Sequence, residues 1–139
     1  MKIIVDTNRI VAALIKNSTS RRILFSNKFE FLTTEFATKE LSDHKKEILV
    51  KVHIPESALD KLIANIFKRI YVIDDIAIKE RFDQAMAIMD KIDPDDTTFI
   101  ALALSVENDG IWSDDKHFTM QRVIKTWKTG DMLKFLDAR

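Results

Sequence analysis

The chain has 139 residues, 46% apolar and 32% charged, with 22 basic and 22 acidic side chains, two Gly, two Pro and no Cys. This is the length of one domain, 1–139, whose core can bury about 68% of the surface the unfolded chain exposes, and the composition excludes collagen-like, low-complexity and disordered classes. A net charge of zero gives no global basic field to draw in nucleic acid, and the lack of Cys excludes disulfide frameworks, zinc knuckles and thiol catalysis. No apolar run approaches the ~18 residues of a membrane span. The opening Met1-Lys2-Ile3-Ile4-Val5-Asp6 is too short in its apolar part for a signal peptide. The expectation is a soluble, cytoplasmic, helix-rich α/β protein with no membrane association.

Ile3-Ile4-Val5 reads as a buried parallel strand that stops at the turn- and cap-forming Asp6-Thr7-Asn8. A helix is expected through Ile10–Ile15, and a second, capped by Ser18-Thr19-Ser20, over Arg21–Ser26. Phe29–Leu32 has strand character, and Thr33-Thr34 opens a long helix to Val52. Pro55 suits the first turn of a helix through Phe67, followed by a strand at Ile70–Ile73 and a helix over Ala77–Asp90. Asp93 caps, and Pro94 starts, a helix that carries Phe99–Val106. Ile111-Trp112 and Val123-Ile124 are expected strands, and Thr129 starts a last helix. Strands alternating with helices imply a mostly parallel sheet covered on both faces.

In such a sheet, sites form beyond the carboxyl ends of strands. Asp6 ends the first strand, and Asp115 follows Ile111-Trp112-Ser113 closely. Asp96 lies in a first helical turn, and Glu40 shares the stripe of Phe36, Ala37, Leu41 and Ile48. Each has an ordinary explanation: a turn, a cap, or complementing a helix dipole at ~0.3–1 kcal/mol, which is the preferred reading of Asp95. Taken together they are harder to dismiss. A carboxylate on an apolar stripe is costly unless paired or metal-bound, and converging carboxylates repel. A hard divalent cation relieves both problems. Oxygen donors without Cys or a His pair select Mg²⁺ or Mn²⁺ over Zn²⁺, one or two ions per site. That chemistry is metal-assisted phosphoester hydrolysis.

Four motifs carry a resemblance. Ile3-Ile4-Val5-Asp6-Thr7-Asn8 resembles the opening of PIN-domain nucleases, and Thr38-Lys39-Glu40-Leu41 their second motif, an acid within a helix. Asp96-Thr97-Thr98-Phe99-Ile100-Ala101-Leu102-Ala103 resembles the third, and Ile111-Trp112-Ser113-Asp114-Asp115-Lys116-His117-Phe118 the fourth, with its acid three residues before Phe. The motifs stand in family order over nearly the whole chain. The resemblance implies a PIN-like three-layer α/β/α sandwich with a central, mostly parallel sheet. It implies a Mg²⁺- or Mn²⁺-dependent endoribonuclease, often the VapC toxin of a VapBC-type toxin–antitoxin pair, with an antitoxin protein as partner and homodimers common. Carried over to this chain, Asp6, Glu40, Asp96 and Asp115 are the catalytic, metal-binding acids, and Ser113 and Asn8 support them. Asp95 stands beside Asp96 as a further supporting residue.

The mechanism expected is in-line attack of an activated water on RNA, leaving 5′-phosphate and 3′-hydroxyl ends. Lys16, Arg21, Arg22 and Lys116 are the candidate phosphate contacts. Lys45-Lys46 reads as a solvated helix face, Asp114 and His117 as solvent-facing turn residues, and Trp127 as packing. Two other readings remain: a free-standing RNA-processing nuclease, and a non-catalytic PIN-like RNA-binding or assembly module. An aspartyl phosphatase is disfavoured, because the position two after Asp6 is Asn8 rather than Asp.

Overall fold

β1 (Lys2–Val5) lies at the centre of the sheet and is buried from Ile3 onward. A computed structural model describes residues 1–16 and 18–138. On one side β1 pairs with β2 (Glu30–Thr34), which pairs in turn with β3 (Ile70–Ile73). On the other side it pairs with β4 (Ile111–Trp112), which pairs with β5 (Thr126–Trp127). Every pairing is parallel, in the order β3-β2-β1-β4-β5. A central parallel strand is covered on both faces, so its sequence is continuously apolar rather than alternating; this is why Ile3-Ile4-Val5 is recognisable.

The helices form two layers. α1 (Thr7–Ile15) and α2 (Thr19–Leu24) follow β1, while α3 (Glu35–Asp43), α4 (Lys45–Val52) and α5 (Glu56–Phe67) follow β2. α6 (Asp75–Ile78), α7 (Phe82–Met89) and α8 (Thr97–Ser105) connect β3 to β4, α9 (Lys116–Met120) precedes β5, and α10 (Thr129–Asp137) follows it. Side chains alternate across β1. Ile3 and Val5 join Phe31, Trp112, Ile10, Ile48, Leu59 and Met132 in one core. Ile4 joins Leu32, Ile111, Phe118 and the α8 run Phe99–Ala103 in the other. Each large apolar side chain so buried contributes ~1.5–3 kcal/mol. The result is an α/β/α sandwich, as the sequence implies.

The chain runs outward from β1 through β2 to β3, then returns to place β4 on the opposite side of β1. The carboxyl ends of β1 and β4 therefore flank a topological switch point, where open α/β sheets leave a crevice.

Three elements differ from expectation. The long helix over Thr34–Val52 is two helices, broken at His44. Its stripe positions at 44 and 45 carry His and Lys, so no buried contact holds the two halves in line; Lys45 instead pairs with Glu56 at 3.2 Å and Asp60 at 2.6 Å on α5. The helix expected over Ala77–Asp90 begins earlier, capped by Asp74, and is interrupted by a 3-10 turn at Lys79–Arg81. The last strand is Thr126–Trp127, not Val123-Ile124. Gln121 Oε1 accepts from the backbone N–H of Val123 (3.0 Å) and Ile124 (2.8 Å), and its Nε2 donates to the carbonyls of Phe118 and Ile124. That side chain satisfies backbone groups that a sheet ladder would otherwise have used.

Gly110, just before β4, has φ +126°, and a Cβ there would lie 2.6 Å from the Lys125 carbonyl and 2.9 Å from Trp127 Nε1. Gly110→Ala is expected to destabilise the fold by about 2–3 kcal/mol, read as a lower urea midpoint at unchanged m-value.

Candidate metal centre at the sheet switch point

Asp6 follows the last residue of β1 and caps α1. Its Oδ1 accepts from the Arg9 backbone N–H at 2.9 Å, and its Oδ2 accepts from the hydroxyl of Ser113. It is only 3% exposed. Ser113 follows β4, in register with Asp6 because Val5 pairs with Trp112. The Ser113 Oγ also accepts from the Asp115 N–H at 3.0 Å, so one buried hydroxyl ties the ends of β1 and β4 together. Asp115 in turn caps α9, its Oδ1 accepting from the His117 N–H at 2.9 Å.

A third segment leads into α8, which packs in the same core as Phe118 of α9. Asp93 caps the 3-10 turn Pro94–Asp96, its Oδ1 accepting from the Asp95 N–H at 3.0 Å. Its Oδ2 lies 3.1 Å from His117 Nδ1. The same nitrogen lies 3.1 Å from Asp115 Oδ1 and 3.8 Å from Asp96 Oδ2. One donor atom from each of Asp93, Asp96 and His117 falls within 4.8 Å of the others. Asp96 Oδ2 and His117 Nδ1 are both buried and make no hydrogen bond.

The charges are mutually unfavourable. Burial is the main cause that pushes the Asp6 carboxyl up to about 6, with a smaller push from Asp115; the Ser113 and Arg9 hydrogen bonds and the Arg9 charge oppose it. Asp96 is pushed up to about 7 by burial first, then by Asp93, Asp115 and Asp6, with His117 opposing. Carboxylates this close hold protons near neutral pH unless a cation replaces them. The residues fit a divalent ion: Asp96 Oδ2 is an orphaned buried acceptor, and the carboxylate oxygens around it suit Mg²⁺ or Mn²⁺.

Of the four acids singled out by sequence, Asp6, Asp96 and Asp115 thus face one another electrostatically. Glu40 is attached differently. Thr34 caps α3 by accepting from the Ala37 N–H at 3.2 Å, which sets α3 at the carboxyl end of β2. From there Glu40 Oε1 accepts from the Thr7 hydroxyl at 2.6 Å, next in the chain to Asp6. It joins the centre through Thr7 and is not a member of the tight Asp93–Asp96–His117 group.

The remaining candidates are distributed around this core. Asn8 is exposed and lines a cleft with Asp6, Arg9, Asp114 and Asp115, but the contacts that hold Asp6 come from Arg9 and Ser113. Asp95 is exposed and lines a groove of about 690 Å³ with Phe36, Ile76 and Phe82, on the flank of the cluster. Lys16 lines a cleft that shares Arg9, Ala12 and Ile15 with the one at the acids. Lys116 is exposed at the start of α9. Arg21 is engaged elsewhere, donating to the carbonyls of Ala13 (2.8 Å) and Leu14 (3.4 Å), and Arg22 pairs with Asp137 at 2.6 Å.

Of the two residues expected to face solvent, Asp114 is exposed but engaged by neighbours, and His117 is turned inward. Asp114 pairs with Arg9 at 2.9 Å and accepts from the N–H and hydroxyl of Thr129, so it caps α10 and locks it to the loop that carries Asp115. The Thr129 hydroxyl also accepts from Trp112 Nε1 at 3.0 Å, which explains how that indole is wholly buried without an orphaned donor. His117 turns inward to the carboxylates, because helix α9 starts at Lys116 and its first turn lies over the Asp93–Asp96 segment. His44 Nδ1 lies 3.3 Å from Glu47 on the exposed surface. Sequence reading missed Asp93 as a site member, since its capping role explained it fully; its second oxygen is the one that faces the cluster.

No match was found among curated proteins. A family model, that of the PIN domain, matches residues 4–137 and so spans Asp6, Glu40, Asp96 and Asp115. Members of that family are generally nucleases that use divalent metals. Nearly the whole chain is matched, and the fold and the acidic centre at its switch point agree with it; the chain belongs to the PIN-domain family.

Proposed function

We propose that this PIN domain is a Mg²⁺- or Mn²⁺-dependent endoribonuclease that hydrolyses RNA to 5′-phosphate and 3′-hydroxyl ends. The observation that carries the reading is the convergence of Asp6, Asp96 and Asp115 from three chain segments at one strand-end crevice, with two of the carboxyls pushed towards neutral pH. Asp6, Asp96 and Asp115 are the residues that would hold the ion. A divalent cation bound there supplies charge to the phosphodiester and lowers the pKa of a water near it. Ser113 and the Arg9 N–H fix the Asp6 carboxylate in one orientation. Thr7 does the same for Glu40, which is set to orient the attacking water or an outer water of the ion. Lys16 and Lys116 flank the acids and contact flanking phosphates, whereas Arg21 and Arg22 serve packing.

In the reaction, the water oxygen bonds to phosphorus, the P–O3′ bond breaks, and the departing O3′ takes up a proton. The RNA 2′-hydroxyl is not the nucleophile, so no cyclic phosphate forms. The site uses no Ser, Cys or His nucleophile. Metal-stripped protein incubated with structured and unstructured RNA is expected to be inactive until Mn²⁺ or Mg²⁺ is added. The products are then expected to be labelled at the 3′ end by ligation and to resist 5′ phosphorylation until dephosphorylated. Cyclic-phosphate ends, or cleavage in the presence of chelator, would overturn the proposal. A toxin role is read separately, from growth arrest on expression and its relief by a co-expressed small antitoxin protein.

A further inference from the structure

The acids alone suit Mg²⁺ and Mn²⁺ about equally; a nitrogen donor breaks that balance. His117 Nδ1 is surrounded by carboxylate oxygens of Asp93, Asp115 and Asp96 at 3.1, 3.1 and 3.8 Å, and aligns a hydrogen bond with none of them. The nitrogen and the carboxylate oxygens around it stand close enough together to be shared by one cation lying between them. Neighbouring donors around an octahedral ion at about 2.1 Å stand about 3 Å apart, close to the spacing from His117 to Asp93 and Asp115. Asp93 uses Oδ1 for its cap and leaves Oδ2 turned to the imidazole. The geometric group in this chain is Asp93, Asp96 and His117, whereas the motifs pointed to acids only.

We propose that His117, through Nδ1, and Asp93 enter the metal shell beside Asp96, making a mixed nitrogen–oxygen centre that selects Mn²⁺ over Mg²⁺. The inference rests on the metal-dependent reading above. Mg²⁺ favours all-oxygen shells and keeps its waters, whereas imidazole suits the later divalent ions. The alternative is that His117 neighbours the acids without ever touching the ion.

The test uses the full chain, stripped of metal and loaded with Mn²⁺. Pulsed electron paramagnetic resonance is expected to show nitrogen hyperfine coupling to the manganese, and His117→Ala is expected to abolish it. By calorimetry, His117→Ala is expected to lower Mn²⁺ affinity at least about tenfold, since even outer-shell partners of a metal cost that much, with a smaller fall for Mg²⁺. His117→Asn, which offers an amide oxygen, is expected to narrow the preference for Mn²⁺. Manganese bound without nitrogen coupling, or an unchanged ratio of Mn²⁺ to Mg²⁺ affinity in His117→Ala, overturns this inference and leaves the nuclease reading standing. Failure of the wild-type chain to bind either ion overturns both. The wild-type spectrum needs no variant, so a misfolded mutant does not blunt the test.

Discussion

Asp6→Asn protein is expected to lose metal-dependent RNA cleavage by at least about 100-fold, more than removal of an outer-shell partner costs. It is also expected to unfold at a higher temperature than wild type when both are metal-free at pH 8. The two effects share one cause. Asp6 is 3% exposed, and its carboxyl is raised from 3.8 to about 6, mainly by burial. Holding it ionised in the native state therefore costs about 3 kcal/mol. Asn is nearly isosteric, keeps an acceptor for the Arg9 N–H and carries no charge. Allowing for weaker hydrogen bonds to a neutral acceptor, the net gain is about 1–2 kcal/mol. Wild-type rates in homogeneous Asp6→Asn protein would remove Asp6 from the catalytic set. A lower melting temperature would show that its charge is compensated within the fold.

The second large effect is a pH dependence of stability that metal reverses. Asp6 and Asp96 titrate at about 6 and about 7 in the native state, against 3.8 as ordinary carboxyls. Between pH 4 and 7 the folded chain therefore holds protons that the unfolded chain has released. The stabilisation these groups confer is complete below pH 3.8 and is lost as pH rises through 6 and then 7. Metal-free protein should accordingly melt lower at pH 8 than its Asp6→Asn counterpart, and the two curves should converge towards pH 4. Their difference isolates Asp6 from the other acids, among them the Arg9-paired Asp114. Mn²⁺ added at pH 8 should raise the melting temperature by mass action on the native state, and at pH 5 it should do so far less, because protons hold the same oxygens. Equal metal-induced shifts at pH 5 and pH 8 would show that the ion binds away from these carboxyls.

The legible parts of the fold were those with strong local cause. The β-branched run at Ile3–Val5, the Asp93-Pro94 helix start and the Thr129 start of α10 each appear in the structure where their chemistry placed them. The errors came where a side chain met the backbone of a distant or differently folded segment. Gln121 takes the hydrogen bonds that would have made Val123-Ile124 a strand, and nothing in the run Gln121–Ile124 announces it. The break at His44 goes with polar residues at two stripe positions, one of which, Lys45, pairs with Glu56 and Asp60 on α5, a contact that only the placement of α5 reveals.

The acids divide along the same line. Asp6, Asp96 and Asp115 could be picked out because each ends a strand or opens a helical turn, and strand ends of a parallel sheet meet at a crevice by topology alone. The residue sequence thus determined the α/β class, the buried parallel strand at Ile3–Val5 and three of the carboxylates brought near one another, Asp6, Asp96 and Asp115. Only the folded chain decided their company: that Asp93 and His117 stand among them, that Glu40 attaches through Thr7, and that Arg9 and Asp114 brace the loop. Periodicity and cap chemistry act within a few residues, whereas these contacts join residues as distant in the chain as Arg9 and Asp114 and depend on helix rotation and side-chain rotamer, which no local pattern encodes.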